Sequence, residues 1–220
     1  MHVTAALVRH AKYRLMQLRF VTALGAAEYV RVQAWHEATL PHCPLHPTGG
    51  CSFRRNGTYG RVDPPGTRVP RWYCPEGHCT FSLLADCFAA RLPGSLTELE
   101  QVVVEAEQAA SLEAAANRVR TDDIALPGAL RWTRRRLRQV HPILEILIAL
   151  IPQLWGCQPT ISALRRWLQC DNVLPQLREL AGAYLHRLPP PLGFACVWPR
   201  GGADGPIQHD KGPDPPLAMS

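Results

Sequence analysis

Six side chains able to bind a soft metal ion fall in two short stretches. Cys43-Pro44-Leu45-His46 leads to Cys51, and Cys74-Pro75-Glu76-Gly77-His78-Cys79 follows after a basic segment. Thiolates and imidazoles are ligands that zinc favours, and a closed structural site takes four of them. Cys43 and Cys74 each open a Cys-Pro turn and anchor the expected site. Cys51 completes the first turn, with His46 as the alternate at the usual two-residue spacing. In the second turn that spacing falls on Gly77, which has no ligand atom. His78 therefore completes the set, with Cys79 as its alternate. The expected site is Cys43, Cys51, Cys74 and His78 around zinc; the competing arrangement is buried free thiols with no metal. A single ion clasping two remote turns replaces a core that so short a segment cannot build.

A second chemistry lies between the turns. Arg54, Arg55, Arg61, Arg68 and Arg71 face one acid, Asp63, and alternate with Phe53, Tyr59, Trp72 and Tyr73. Guanidiniums beside aromatic rings can hold phosphates and stack bases, so these five arginines are expected nucleic-acid contacts. The plainer alternative makes the aromatics a small core and the arginines its solvated face. A third feature is the segment around Arg131, Arg134, Arg135, Arg136 and Arg138, which has no acid from Ile124 to Leu144. At the helical step, Arg131, Arg134, Arg135 and Arg138 share an arc of roughly 100°. Leu130, Thr133, Leu137 and Val140 fall opposite, so one face packs and the other is strongly positive. Acids from a neighbouring helix, such as Glu98, Glu100 or Glu105, are the alternative partners to a polyanion.

These groups need elements to position them. Helical spacing of Leu7, Ala11, Leu15 and Leu18 predicts an N-terminal helical segment over 1–40, interrupted at Gly25. Residues 41–92 are punctuated by Pro and Gly and predict a zinc ribbon, with two short strands around Asp63-Pro64-Pro65-Gly66. Ser95-Leu96-Thr97-Glu98 has the form of a capping box opening a helix to about Ala109. Ser111 caps a short alanine-rich helix, and Pro127 suits the first turn of a third, ending near Val140. Three such helices over 93–141 outline a helix-turn-helix. Further helices over 142–198 form a C-terminal helical region, and 199–220 reads as a disordered tail. The expected fold class is mainly α with a small β zinc ribbon.

Totals narrow the partner. The net charge is +6, and of 24 basic residues only Lys12 and Lys211 are lysines. Arginine suits phosphates and guanine edges better than lysine does, although a GC-rich genome also writes arginine by default. Eight cysteines without a secretory signal read as metal ligands, not disulfides, and point to the cytoplasm. The most apolar run, Ile143 to Trp155, is too short to span a membrane and contains Glu145 and Pro152.

Several pieces resemble the N-terminal DNA-binding part of bacterial insertion-sequence transposases. They are Cys43-Pro44, Arg55-Asn56-Gly57, Arg71-Trp72-Tyr73-Cys74-Pro75 and Thr80-Phe81, then Ser111-Leu112-Glu113-Ala114-Ala115-Ala116 and Leu130-Arg131-Trp132. The resemblance covers about 41–141. It implies a zinc ribbon ligated through Cys43 and Cys74, followed by a helix-turn-helix. Arg131, Arg134, Arg135 and Arg138 would then meet double-stranded DNA. The spacing of both metal turns departs from the family's, and the catalytic half is missing: after Pro142 only Glu145, Asp171 and Glu179 are on offer, with no expected strands to gather them. A non-enzymatic, mobile-element-derived DNA-binding module is expected, with a homodimer or a transposase-related protein as further partners. A zinc-ribbon adaptor that binds protein and not DNA is the alternative. A thiol site drawn from Cys74, His78 and Asp86 lacks any reason for a base to be held at a fixed distance.

Overall fold

A computed structural model describes residues 14–120 and 125–195. Four strands, β1 (Arg14–Phe20), β2 (Arg54–Gly60), β3 (Arg68–Cys74) and β4 (Cys79–Ala85), form one sheet in the order β1-β4-β3-β2. Six helices accompany it: α1 (Ala26–Arg31), α2 (Leu96–Gln108), α3 (Leu112–Val119), α4 (Leu126–Leu150), α5 (Ile161–Leu168) and α6 (Val173–Leu180). The fold is therefore mixed α/β, not mainly α.

The N-terminal stretch accounts for much of that correction. Residues 14–20, expected as helix, form a strand parallel to β4, with Met16 opposite Phe81 and Leu18 opposite Leu83. Leu15 and Leu18 sit at helical spacing, but Met16, Leu18 and Phe20 also alternate at the strand period, and a waiting sheet edge decided between the two. The expected helix over residues 4–13 lies outside the described residues. Gly25 does not break a helix; it is the N-cap of α1.

The hairpin expected around Asp63–Gly66 is present, with Arg55 opposite Trp72 and Tyr59 opposite Val69. The register shifts between Arg55 and Thr58, where Gly57 adopts a φ of 68° that favours glycine. β4 was not anticipated. It pairs antiparallel to β3, Trp72 opposite Phe81 and Cys74 opposite Cys79. One sheet face thus carries Met16, Phe81, Trp72 and Cys74, and the 38–53 loop closes over it through Ala38, Leu40, Cys43, Leu45 and Phe53.

Helix boundaries follow local chemistry closely. The Ser95 hydroxyl accepts from the Glu98 amide at 3.1 Å, and the Glu98 carboxylate accepts from the Ser95 amide at 2.7 Å. Ser111 caps α3 through the Ala114 amide, and Thr160 caps α5 through that of Ala163. Glu107 reaches the same end of α5, accepting from the amides of Ile161 and Ser162. The third helix, however, does not end before His141-Pro142. α4 runs on to Leu150 with Pro142 inside it. An interior proline removes one helical bond, at a cost of about 3 kcal/mol. Burial of Val140, Ile143, Leu144 and Leu147 on one continuous stripe offsets it.

The larger core gathers α2, α4, α5 and α6 with Tyr29, Phe88 and the end of β4. At its centre lies Arg178, fully buried. Its guanidinium donates to the carbonyls of Leu192 (3.0 Å), Asp86 (2.9 Å), Phe88 (2.6 Å) and Pro191 (2.6 Å). Burial lowers its pKa to about 10, which leaves it charged at neutral pH. One side chain of α6 thus ties the segment after β4 to the segment after α6. No helix among the described residues is long and apolar enough to cross a membrane.

Candidate metal centre and basic helix face

The first turn folds on itself. The His46 amide donates to the Cys43 carbonyl at 3.1 Å, bringing the two side chains to the same side. Cys51 returns along the loop, and Cys74 enters from the end of β3. Their four ligand atoms lie within 4.8 Å of one another. His46 Nδ1 stands 3.4 Å from Cys43 Sγ and 3.4 Å from Cys74 Sγ. Tetrahedral zinc with ordinary bond lengths separates a sulfur from a nitrogen ligand by about 3.5 Å. The donor set and its spacing therefore suit one metal ion.

Three of the four expected ligands meet here, and the fourth is the alternate His46, not His78. His78 is exposed and holds the turn instead, with its φ at 46° and its amide donating to Pro75. Cys79 is buried but outside the cluster. Asp86 is engaged by Arg19 at 2.7 Å.

The surroundings tune the thiols. Burial opposes ionisation of Cys43, but bonds from His46 and from the Leu45 amide outweigh it and leave its pKa below the ordinary value. Loss of solvent raises that of Cys51, with the Cys43 thiol adding to it. Burial pushes Cys74 up to about 12, partly offset by the Gly77 amide. A metal ion would have to displace that proton, and so would bind more weakly as pH falls.

Two supporting residues were not anticipated as such. The Glu76 carboxylate accepts from the Ser52 amide at 3.1 Å and lies 3.9 Å from Cys74 Sγ, tying the Cys51 arm to the second turn. Gly77 donates its amide to Cys74 Sγ at 3.3 Å. A Cβ there would stand 2.5 Å from Leu45 Cδ1 and 3.4 Å from Cys74 Sγ. Gly77→Ala should therefore weaken metal retention by about tenfold, as outer contacts of metal ligands commonly do. Competition against a chromophoric chelator measures it; unchanged affinity would mean that Leu45 moves aside at no cost.

The arginines divide. Arg61 is not a surface group: its guanidinium donates to the carbonyls of Ala89, Leu92 and Gly94 and stacks on Phe88. Desolvation lowers its pKa. It locks the sheet to the helical part, and no spacing rule could reveal a cradle built by residues 89–94. Arg55 donates to the Trp35 carbonyl at 2.7 Å and stacks on Trp72. Arg71 is half-buried over Tyr59. Arg54 and Arg68 are exposed. Phe53 and Trp72 belong to the small core under the metal cluster, as the plainer alternative held.

On α4 the pattern predicted from helical geometry is present. Arg131, Arg134, Arg135 and Arg138 are exposed and, with Gln139, line a shallow groove of about 410 Å³. Thr133, Arg136 and Val140 are buried on the opposite side. Among the described residues none of the four exposed arginines has an acidic partner. The acids weighed as partners are used elsewhere. Glu98 caps α2, Glu100 is buried against Arg165 and the Leu174 amide, and Glu105 pairs with Arg118. The chain matches no protein-family model, no curated protein and no solved structure.

Proposed function

We propose that this chain binds double-stranded DNA through α4, with zinc at Cys43, His46, Cys51 and Cys74 fixing a ribbon-like sheet beside it. The observation that carries this reading is the row of four exposed guanidiniums on one face of α4, none with an acidic partner among the described residues. Like charges at helical spacing destabilise a helix by a few tenths of a kcal/mol per pair, and a polyanion removes that cost. α2, α3 and α4 pack on one another with a short second helix. In the helix-turn-helix reading α4 is the helix that enters the major groove. Exposed Arg54 and Arg68 add phosphate contacts from the sheet.

Phosphate contacts release counterions, so affinity must fall with salt. The four arginine–phosphate pairs of α4 alone give a log–log slope of about −3 to −4, and contacts from Arg54 and Arg68 steepen it to about −5. Replacing Arg131 and Arg135 with alanine should flatten that slope by about two. Fluorescence anisotropy with a labelled duplex across a salt series reads both; affinity indifferent to ionic strength would remove the phosphate contacts.

One observation favours a protein-docking adaptor instead. Beyond the arginines, Ile146, Trp155 and Trp167 are 41%, 61% and 51% exposed. An adaptor of this kind would pass through heparin resin unretained.

A further inference from the structure

The groove on α4 is not lined by arginine alone. Gln139 stands one helical turn after Arg135 and two after Arg131, at positions i, i+4 and i+8 of one ridge. Its Oε1 is buried and has no hydrogen-bond partner among the described residues. An unpaired buried acceptor is uncommon, and each one asks for an explanation. The four guanidiniums around it are donors only. Of the side chains lining the groove, Gln139 is therefore the one that can accept a hydrogen bond.

That asymmetry restricts what completes the groove. Phosphate oxygens match the arginines but bring no donor for Oε1, and they compete with it for the guanidinium N–H groups. So does a guanine edge, which presents only N7 and O6 acceptors in the major groove. Adenine presents an acceptor at N7 beside a donor at N6, the complement of a carboxamide that offers one donor and one acceptor. Resting on the DNA-binding reading of α4, we infer that Gln139 is its base-reading residue and that it selects adenine. The Gln139 carboxamide pairs with adenine N6 and N7, while Arg131, Arg134, Arg135 and Arg138 hold the flanking phosphates. Because its oxygen is covered in the unbound chain, the carboxamide has to turn outward to meet the base.

The test is enrichment of duplexes from a randomised library by the full-length protein, followed by affinity measurements on the selected duplex. The wild-type protein should enrich adenine at one position, with a preference of tenfold or more over the other bases. Gln139→Ala should lose that preference while keeping the salt slope, because it removes no phosphate contact. Gln139→Glu keeps the side-chain shape but can only accept, and should move the preference to cytosine, which offers its N4 donor. That exchange of preference cannot come from a merely structural role. Duplex binding in which Gln139→Ala selects the same base, or in which the wild type selects none, overturns the assignment and leaves DNA binding standing. No duplex binding by the wild type removes the DNA reading itself, and this assignment with it.

Discussion

Arg178→Leu is expected to abolish folding. The substitution removes five N–H donors from the centre of the larger core, where Arg178 serves four carbonyls and is fully buried. Each carbonyl left unpaired away from water costs about 1–3 kcal/mol. Together they rival the whole stability of a domain, about 5–15 kcal/mol. Leucine returns some apolar burial but cannot replace the join between the segment after β4 and the segment after α6. The expected result is a chain recovered only in the insoluble fraction, or one with no cooperative thermal transition. Arg178→Lys separates charge from geometry. It keeps the charge but offers three donors from one point, so it should fold with clearly lower stability. A soluble Leu variant melting within a few degrees of wild type would show that water or rearranged backbone can serve those carbonyls.

Cys74→Ser is expected to prevent zinc binding and with it to loosen the end of the sheet that carries the Cys/His cluster. Cys74 is the single member of the cluster from the second turn, so its loss leaves only the Glu76–Ser52 bond and the small apolar cluster between that turn and the 43–51 loop. The apolar cluster beneath is small, built on Trp72, Phe81, Leu83 and a few neighbours. Structural zinc in small domains supplies about 10–16 kcal/mol of apparent binding energy, which is folding energy. Elemental analysis should find about one zinc per wild-type chain, and none in Cys74→Ser. Hydrogen exchange should show protection lost across 38–55 and 71–82 but retained in α2 and α4, which pack in the larger core with Tyr59 and Val69. His78→Ala should keep its zinc, since that ring lies outside the cluster. A metal-free wild-type protein with the same protection pattern would return the four groups to ordinary packing.

Positions settled by neighbours in the chain were legible. The capping box of Ser95 and Glu98, the Ser111 cap and the Asp63–Gly66 turn each depend on atoms a few residues apart, and each formed as read. So did the arginine face of α4, because helical geometry alone places Arg131, Arg134, Arg135 and Arg138 together. The cysteines that could share an ion were also recognisable from type and spacing.

What stayed illegible depended on partners far away in the chain. Leu15 and Leu18 fit a helix until β4 supplies the carbonyls and amides for a parallel strand. Pro142 would end an isolated helix, yet buried Ile143, Leu144 and Leu147 carry α4 through it. Arg61 reads from sequence as a nucleic-acid contact and nothing in the sequence marks Arg178; a ring of carbonyls from residues 86–94 and 191–192 draws both inward. His46 reads as the alternate to Cys51 and His78 as the partner of Cys74; the fold of the 43–46 turn brings His46 in beside Cys51, while His78, in left-handed backbone, stays exposed. Local covalent geometry and short hydrogen bonds are written in order along the chain. Burial and ligand choice are energies of contact between distant segments, and they exist only once the chain has closed on itself.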